Sequence, residues 1–316
     1  MKNIIIDADP GHDDIIAFLV ALANDEKLNI LGYTTVCGNS NVEKCARNIL
    51  KIQDYLGVKI PVAVGYPEPL CRPLDNAAKY HGETGLDGCL NYPEATSKPV
   101  QMHALDFLKE MILGSKEKVT LVTMGPLTNV AMLLKTYPEV INNIDEIVAM
   151  GGSYNSGNQL AKAEFNIFAD PEAAKIVCDS EVRIVLATIE ACYSGGVLLT
   201  EQERFADGGK VSRLVYDILK FYSRYAIRNG WDRTAIFDMT TVVYLLAPEI
   251  FEYEDMKVDI ELNGKYTRGM TVCDNRGPEY NKGTNNLKRV LLGCDREKLV
   301  DILFASIGKL DERFGD

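Results

Sequence analysis

Two hydrophobic patterns alternate along the first two hundred residues. Short apolar runs, such as Ile4-Ile5-Ile6, carry consecutive aliphatic residues, as strands buried on both faces do. Between them, apolar residues recur every three or four positions, the period of a helix with one buried face. The pattern predicts strands over 4–7, 30–36, 60–64, 119–123, 146–150 and 182–186. It predicts helices over 13–24, 42–56, 102–114, 129–136 and 171–178. This alternation implies an α/β fold with a mostly parallel central sheet flanked by helices. Residues 66–99, rich in Pro, Gly and Asn, have no clear period and read as a long surface insertion. Beyond residue 200 the chain turns helical, over 212–227 and 238–246, then shows a strand pair (258–262, 269–272) and a closing helix over 296–307. Neither an internal repeat nor a linker interrupts it, so residues 1–316 read as a single domain.

Chemistry collects at the strand ends. Asp9, Asn39, Met124 and Met150 each fall at or just past the carboxyl end of a predicted strand. Ligands of open α/β sheets bind at that edge, so these sequence-distant positions are expected to converge. The first strand runs into Asp7-Ala8-Asp9-Pro10-Gly11-His12-Asp13-Asp14, four carboxylates separated by a Pro-Gly turn. Like charges this close require a counter-charge, and a hard divalent cation prefers oxygen ligands. Asp13 and Asp14 alone could simply favour a helix N-terminus. That reading leaves Asp7 and Asp9 unexplained. An EF-hand fails, because its sixth position would be His12 where the loop requires Gly.

Charge narrows the partners. The 316 residues carry a formal net charge of -11, which argues against a nucleic-acid polymer and suits a neutral small molecule. The eight cysteines form neither Cys-x-x-Cys nor a zinc-like spacing with the three histidines. They read as reduced thiols of a cytoplasmic protein. The start of the chain leads straight into a strand pattern rather than a signal peptide, and no apolar run reaches the ~18 residues of a membrane span.

The acidic stretch resembles the DxDPGxDD signature of the inosine–uridine-type nucleoside hydrolases. Further blocks resemble the family's in order: Gly38-Asn39, His81-Gly82-Glu83-Thr84-Gly85-Leu86-Asp87-Gly88, Gly125-Pro126-Leu127-Thr128-Asn129, Met150-Gly151-Gly152, the run from Ala163 to Ala173, and Thr267-Arg268-Gly269-Met270-Thr271-Val272. The resemblance spans about residues 3–300 and implies an open, Rossmann-like fold with a helical C-terminal part. It implies Ca²⁺-dependent hydrolysis of the N-glycosidic bond of ribonucleosides. Asp9, Asp14, Asp238 and the Met124 carbonyl would bind Ca²⁺, with Asp7 as support and Asp9 as the base that activates water. Asp13 would hold the ribose 2′-hydroxyl, Asn158 and Glu164 the 5′-hydroxyl, and Asn166 the 2′- and 3′-hydroxyls. Asp238 would also touch the 3′-hydroxyl, and Asn39, Phe165 and Met150 would line the sugar site. A homodimer or homotetramer is implied as well.

One position departs from the family. Many members carry His immediately before the Asp of the 238 block, as an acid for the leaving base. Here it is Phe237. His81, Tyr222, Tyr225, Arg228 and Trp231 are the remaining candidates for contact with the base. Two rival readings follow: a nucleoside- or ribose-binding protein that has lost catalysis, and a phosphatase of the haloacid-dehalogenase type. The second also begins with a strand and Asp-x-Asp, but it usually has Thr where this chain has Gly11.

Overall fold

The computed structural model describes residues 1–89, 91–277, 279–280 and 286–315. Six strands follow the predicted alternation: β1 (Lys2–Ala8), β2 (Leu28–Thr35), β3 (Val62–Val64), β4 (Val119–Thr123), β5 (Ile144–Met150) and β6 (Ile184–Ala187). They lie in the order β3-β2-β1-β4-β5-β6, and every neighbouring pair is parallel. The order reverses direction between β1 and β4, which leaves a crevice at their carboxyl ends. Two more strands extend the sheet, Lys288–Cys294 beside β6 in parallel and Phe251–Met256 antiparallel at the edge.

Ile4, Ile5 and Ile6 of β1 are wholly buried, which is why an unbroken aliphatic run sits at the middle of the sheet. Helix α1 (His12–Ala23) is buried on every side, so its apolar residues show no polar face. It packs against the helices Met239–Leu246 and Arg296–Phe314. Helix α2 (Val42–Leu56) is amphipathic and ends at Gly57, whose φ of 70° suits a left-handed cap.

The structure departs from the sequence pattern in the C-terminal part. The predicted strand pair forms a separate two-stranded ribbon, Val258–Ile260 with Thr271–Cys273. The strands that complete the main sheet were not predicted. In Phe251–Met256 only the two end residues are buried, so it carries no alternating signal. The helix expected over 212–227 breaks at Ser223 into Lys210–Tyr222 and Arg224–Arg228. Ser223 is buried there, donating to Gln202 Oε1 at 2.6 Å and accepting from Thr234 Oγ1 at 3.0 Å. The insertion over 66–99 is not wholly loop. It contains the short helix Ala78–His81 and is tethered where the Leu70 N–H donates to Asp170 at 2.9 Å.

Candidate active site

The acidic motif lies at the switch point. The turn Asp9-Pro10-Gly11 links β1 to α1, and the Gly11 N–H donates to Asp14 Oδ2 at 2.8 Å, fixing Asp14 inside the first helical turn. Asn39, just beyond β2, clamps the turn. Its backbone N–H donates to Asp9 Oδ2 at 2.7 Å, and its side chain reaches the Asp9 carbonyl and Asp14 Oδ2, both at 3.1 Å. Asp7 sits beneath, accepting from Thr34 Oγ1 at 2.5 Å and Asn129 Nδ2 at 2.7 Å. Asp238 arrives from the start of the helix Met239–Leu246. It makes no side-chain capping bond there, which removes the ordinary reason for an Asp at a helix start.

Asp13, Asp14 and Asp238 are buried and offer oxygen atoms all within 4.8 Å of one another. Asp9 Oδ1, Asp13 Oδ1 and Asp14 Oδ1 are buried and accept no hydrogen bond. Buried carboxylates left this way are costly unless a cation meets them. Burial first, and mutual repulsion after it, holds the Asp9 and Asp238 carboxyls well above the usual carboxylate range. Burial also pushes Asp14 up to about 7 and Asp13 to about 6. The donors are all oxygens, so the cluster fits a hard divalent cation. The Met124 carbonyl, at the end of β4, accepts from Asn166 Nδ2 at 2.8 Å and keeps a second lone pair.

Two glycines make room for Asp9. A Cβ on Gly38 would lie 1.9 Å from Asp9 Oδ2, and one on Gly125 would lie 2.6 Å from Asp9 Oδ1. The Gly38-Asn39 and Gly125-Pro126 turns are therefore the walls of the Asp9 side chain.

Above the cluster opens a cavity of about 860 Å³. Asp13, Asn39, Met124, Met150, Asn158, Glu164, Phe165, Asn166 and Asp238 line one side of it. Glu164 caps the short helix Phe165–Ala169, accepting from the N–H groups of Asn166 at 2.8 Å and Ile167 at 3.1 Å, and from Gly152 at 2.9 Å. Those bonds hold it rigid, while burial pushes its carboxyl up to about 7. Asn158 Oδ1 accepts from the Phe165 N–H at 2.9 Å, which ties the 157–159 turn to the same helix. Asn166 Nδ2 also reaches the Met150 carbonyl at 3.1 Å, joining the ends of β4 and β5.

On the opposite side, the insertion brings His81 against His12. His12 Nε2 lies 2.6 Å from the Asp87 carbonyl, which can only accept, so that nitrogen carries the proton. Burial pushes His12 down to about 4, so it is neutral and its Nδ1 is bare. The His12 backbone N–H donates to His81 Nδ1 at 3.3 Å, and the two Nδ1 atoms lie 3.1 Å apart. His81 is itself held neutral by burial.

Tyr222 lines the cavity and donates to Asp13 Oδ2 at 3.0 Å, which steadies the acidic floor. Tyr225, Trp231 and Phe237 line the cavity. Arg228 does not. It is exposed on the far side of its short helix from the buried Ala226. Tyr80 and Tyr193 also line the cavity; they sit in the short helices Ala78–His81 and Ile189–Ser194, too short to carry a periodic signal in the sequence. His103 caps the helix Ala104–Gly114 through Nδ1, away from the site.

Comparison with known proteins agrees with this geometry. The family model described as inosine-uridine preferring nucleoside hydrolase matches residues 4–301. The chain is 41% identical to the pyrimidine-specific ribonucleoside hydrolase RihA of Enterobacter sp. (strain 638), over 98% of this chain and 99% of that protein. Among solved structures it is similar to the purine-preferring ribonucleoside hydrolase from Gardnerella vaginalis, with a TM-score of 0.91, 26% identity, and 99% and 100% of the two chains covered. It is likewise similar to a plant nucleoside hydrolase, PpNRh1, with a TM-score of 0.90, 27% identity, and 97% and 99% covered.

Proposed function

The chain belongs to the inosine-uridine preferring nucleoside hydrolases and hydrolyses the N-glycosidic bond of ribonucleosides; we propose that it does so with Ca²⁺ on Asp9, Asp14, Asp238 and the Met124 carbonyl, and that pyrimidine ribonucleosides are its natural substrates. The observation that carries the metal and the mechanism is the set of buried carboxylate oxygens without partners at the floor of the cavity. The pyrimidine preference rests on the 41% identical relative, which is pyrimidine-specific.

Asp13 is turned by Tyr222 to meet a ribose hydroxyl, and Asp238 faces it across the floor. Glu164, Asn158 and Asn166 hold the rest of the sugar, their acceptors and donors matching hydroxyls that can do both. A Ca²⁺ held by Asp9, Asp14, Asp238 and the Met124 carbonyl would supply a positive charge that makes a water more acidic. Asp9 takes the proton of the attacking water through its unpartnered Oδ1. Cleavage of the C1′–N bond sends the electron pair to the base and leaves positive charge on the ribose. The rigid carboxylates around the sugar stabilise that charge without reorganising. Free, largely buried thiols suit a reducing cytoplasm, and none of the eight cysteines is paired. The homodimer or homotetramer implied by the resemblance belongs to the same reading. Among the described residues, no helix is long and apolar enough to cross a membrane.

Ribose release from uridine, cytidine, inosine and adenosine tests the reading. Uridine and cytidine should be cleaved, a strong chelator should abolish turnover, and added Ca²⁺ should restore it. Asp9→Asn should slow turnover by about 10²–10⁴-fold, as loss of a general base does. Chelator-insensitive cleavage would exclude the metal, and near-normal Asp9→Asn turnover would exclude Asp9 as the base.

A further inference from the structure

The base side of the cavity is built from rings and has no proton donor of ordinary acidity. Tyr80, Tyr225, Trp231, Tyr193 and Phe237 form a continuous edge-to-face chain, with successive centroids 5.0, 5.7, 6.2 and 5.3 Å apart. The interplanar angles of 78°, 76°, 83° and 75° mean that no two of these rings stack on one another. Lys79 covers Tyr80 at 4.8 Å. Tyr193, Trp231 and Tyr225 remain 40%, 45% and 42% exposed, with ring surface open to a ligand. Position 237 offers a phenyl group in place of an acid. His81 is buried beside His12, accepts the His12 backbone N–H at Nδ1, and is held neutral by burial, so it is no acid. Tyr225 holds its proton more tightly than a free phenol because Tyr80 lies beside it.

Charge at the same wall does not oppose a cation. Arg233 lines the cavity but is taken up by Asp232, with contacts of 2.9 and 3.1 Å. Electron-rich rings attract cations through their faces, Trp most strongly.

A neutral nucleobase leaves as an anion unless it is protonated, and this wall supplies no proton. A ribosylated pyridinium has no such need. Building on the ribose-side reading above, we infer that the aromatic wall makes this enzyme a hydrolase of N-ribosylpyridinium cations, held by cation–π contact with Trp231, Tyr193 and Tyr225. The C1′–N⁺ bond breaks, and its electron pair returns to the ring nitrogen, so a neutral pyridine leaves without a proton. Water adds to C1′ and gives one proton to Asp9. The products are ribose, the pyridine and one released proton.

The test uses the Ca²⁺-loaded enzyme with N-ribosyl-3-carboxamidopyridinium, uridine and p-nitrophenyl riboside as substrates. The pyridinium riboside should turn over about 10²-fold faster than uridine, the scale of a missing general acid. Its rate should stay flat between about pH 7 and pH 9, where the uridine rate falls for want of a proton. Trp231→Leu should raise KM for the cation about tenfold, and by a clearly smaller factor for uridine and p-nitrophenyl riboside. Equal turnover of the cation and uridine, or equal KM increases on all three substrates, would overturn the inference while leaving ribonucleoside hydrolysis standing. Failure to release ribose from any substrate would instead overturn the reading on which it rests.

Discussion

Gly38→Ala isolates the placement of Asp9 from its chemistry. Gly38 follows β2 with a backbone that other residues can adopt, so the added methyl group acts by contact alone. Its Cβ would sit 1.9 Å from Asp9 Oδ2, 2.8 Å from Asp9 Cγ and 2.9 Å from Pro126 Cδ. Contacts below about 3.0 Å are essentially never tolerated, so Asp9 or the turn must move by about an ångström. The carboxylate has nowhere easy to go. Gly125 walls its other oxygen, and the 2.7 Å bond from the Asn39 N–H would stretch or break. A misplacement of this size costs about 10²-fold in rate when the displaced group is the one that must meet the nucleophile. Gly125→Ala, with its closest contact at 2.6 Å, should do less damage. Gly114→Ala, where nothing lies within 4 Å of the new Cβ, should keep wild-type turnover. The assay is kcat for ribose release, beside Ca²⁺ affinity and Tm to separate placement from unfolding. Wild-type kcat in Gly38→Ala, with an intact fold, would refute the argument that the two glycine turns position the base.

Three further outcomes are expected. Phe237→His should narrow the rate advantage of p-nitrophenyl riboside over uridine, because an imidazole beside Tyr193 and Met150 would supply the missing proton; an unchanged ratio would place position 237 out of reach of the base. Gly308→Ala, exposed inside the helix Arg296–Phe314 with nothing within 4 Å of the new Cβ, should stabilise the fold by about 0.5–1 kcal/mol, read as a rise in Tm. Asp13 and Asp14 are pushed up to about 6 and about 7, so the metal-free native state binds more protons than the unfolded chain below those values. Its stability should therefore rise as pH falls from about 8 to about 6. Thermal melts with chelator should show that rise, and Ca²⁺ should flatten it; identical pH profiles would mean that the cluster does not carry the metal.

What could be read from the chain follows from where the relevant residues lie. Asp7, Asp9, Asp13 and Asp14 are neighbours in sequence, so the acidic floor announced itself. The carboxyl ends of β1, β2, β4 and β5 could be placed because each strand carries a cluster of apolar residues that is followed by a turn. The edge strand Phe251–Met256 left no pattern because its four middle residues face solvent. Lys288 sits wholly buried at the start of a strand of the main sheet, satisfied by the Ser180 carbonyl and Asn286 Oδ1, and a lysine there reads as loop. The pairing of His12 with His81 joins residues 69 positions apart, and the periodicity of neither segment reports it. Tyr80 and Tyr193 reach the cavity from helices of four and six residues, too short for periodicity to report which face is turned inward.

The two sides of the cavity answer to different constraints. The sugar side hangs on strand ends and on buried bonds such as Asn129 to Asp7 and Asn166 to Met124, so a substitution there disturbs the sheet as well as the site. The base side is carried by the 66–99 insertion and by the break at Ser223, which turns Tyr225 and Trp231 toward the cavity in a separate short helix and its following turn. Half-exposed rings there can change without loosening the core. The sugar chemistry is therefore fixed by the fold, whereas the leaving group is open to replacement. A His-to-Phe difference at position 237 alters the base side and leaves the adjacent Asp238 in place, since Asp238 is held by the buried start of the helix Met239–Leu246 and Phe237 packs on Met150, Ile189 and Cys192. On the proposed assignment, a chain without an acid at position 237 would favour leaving groups that depart unaided, while the carboxylate floor would keep the ribose end of the reaction intact.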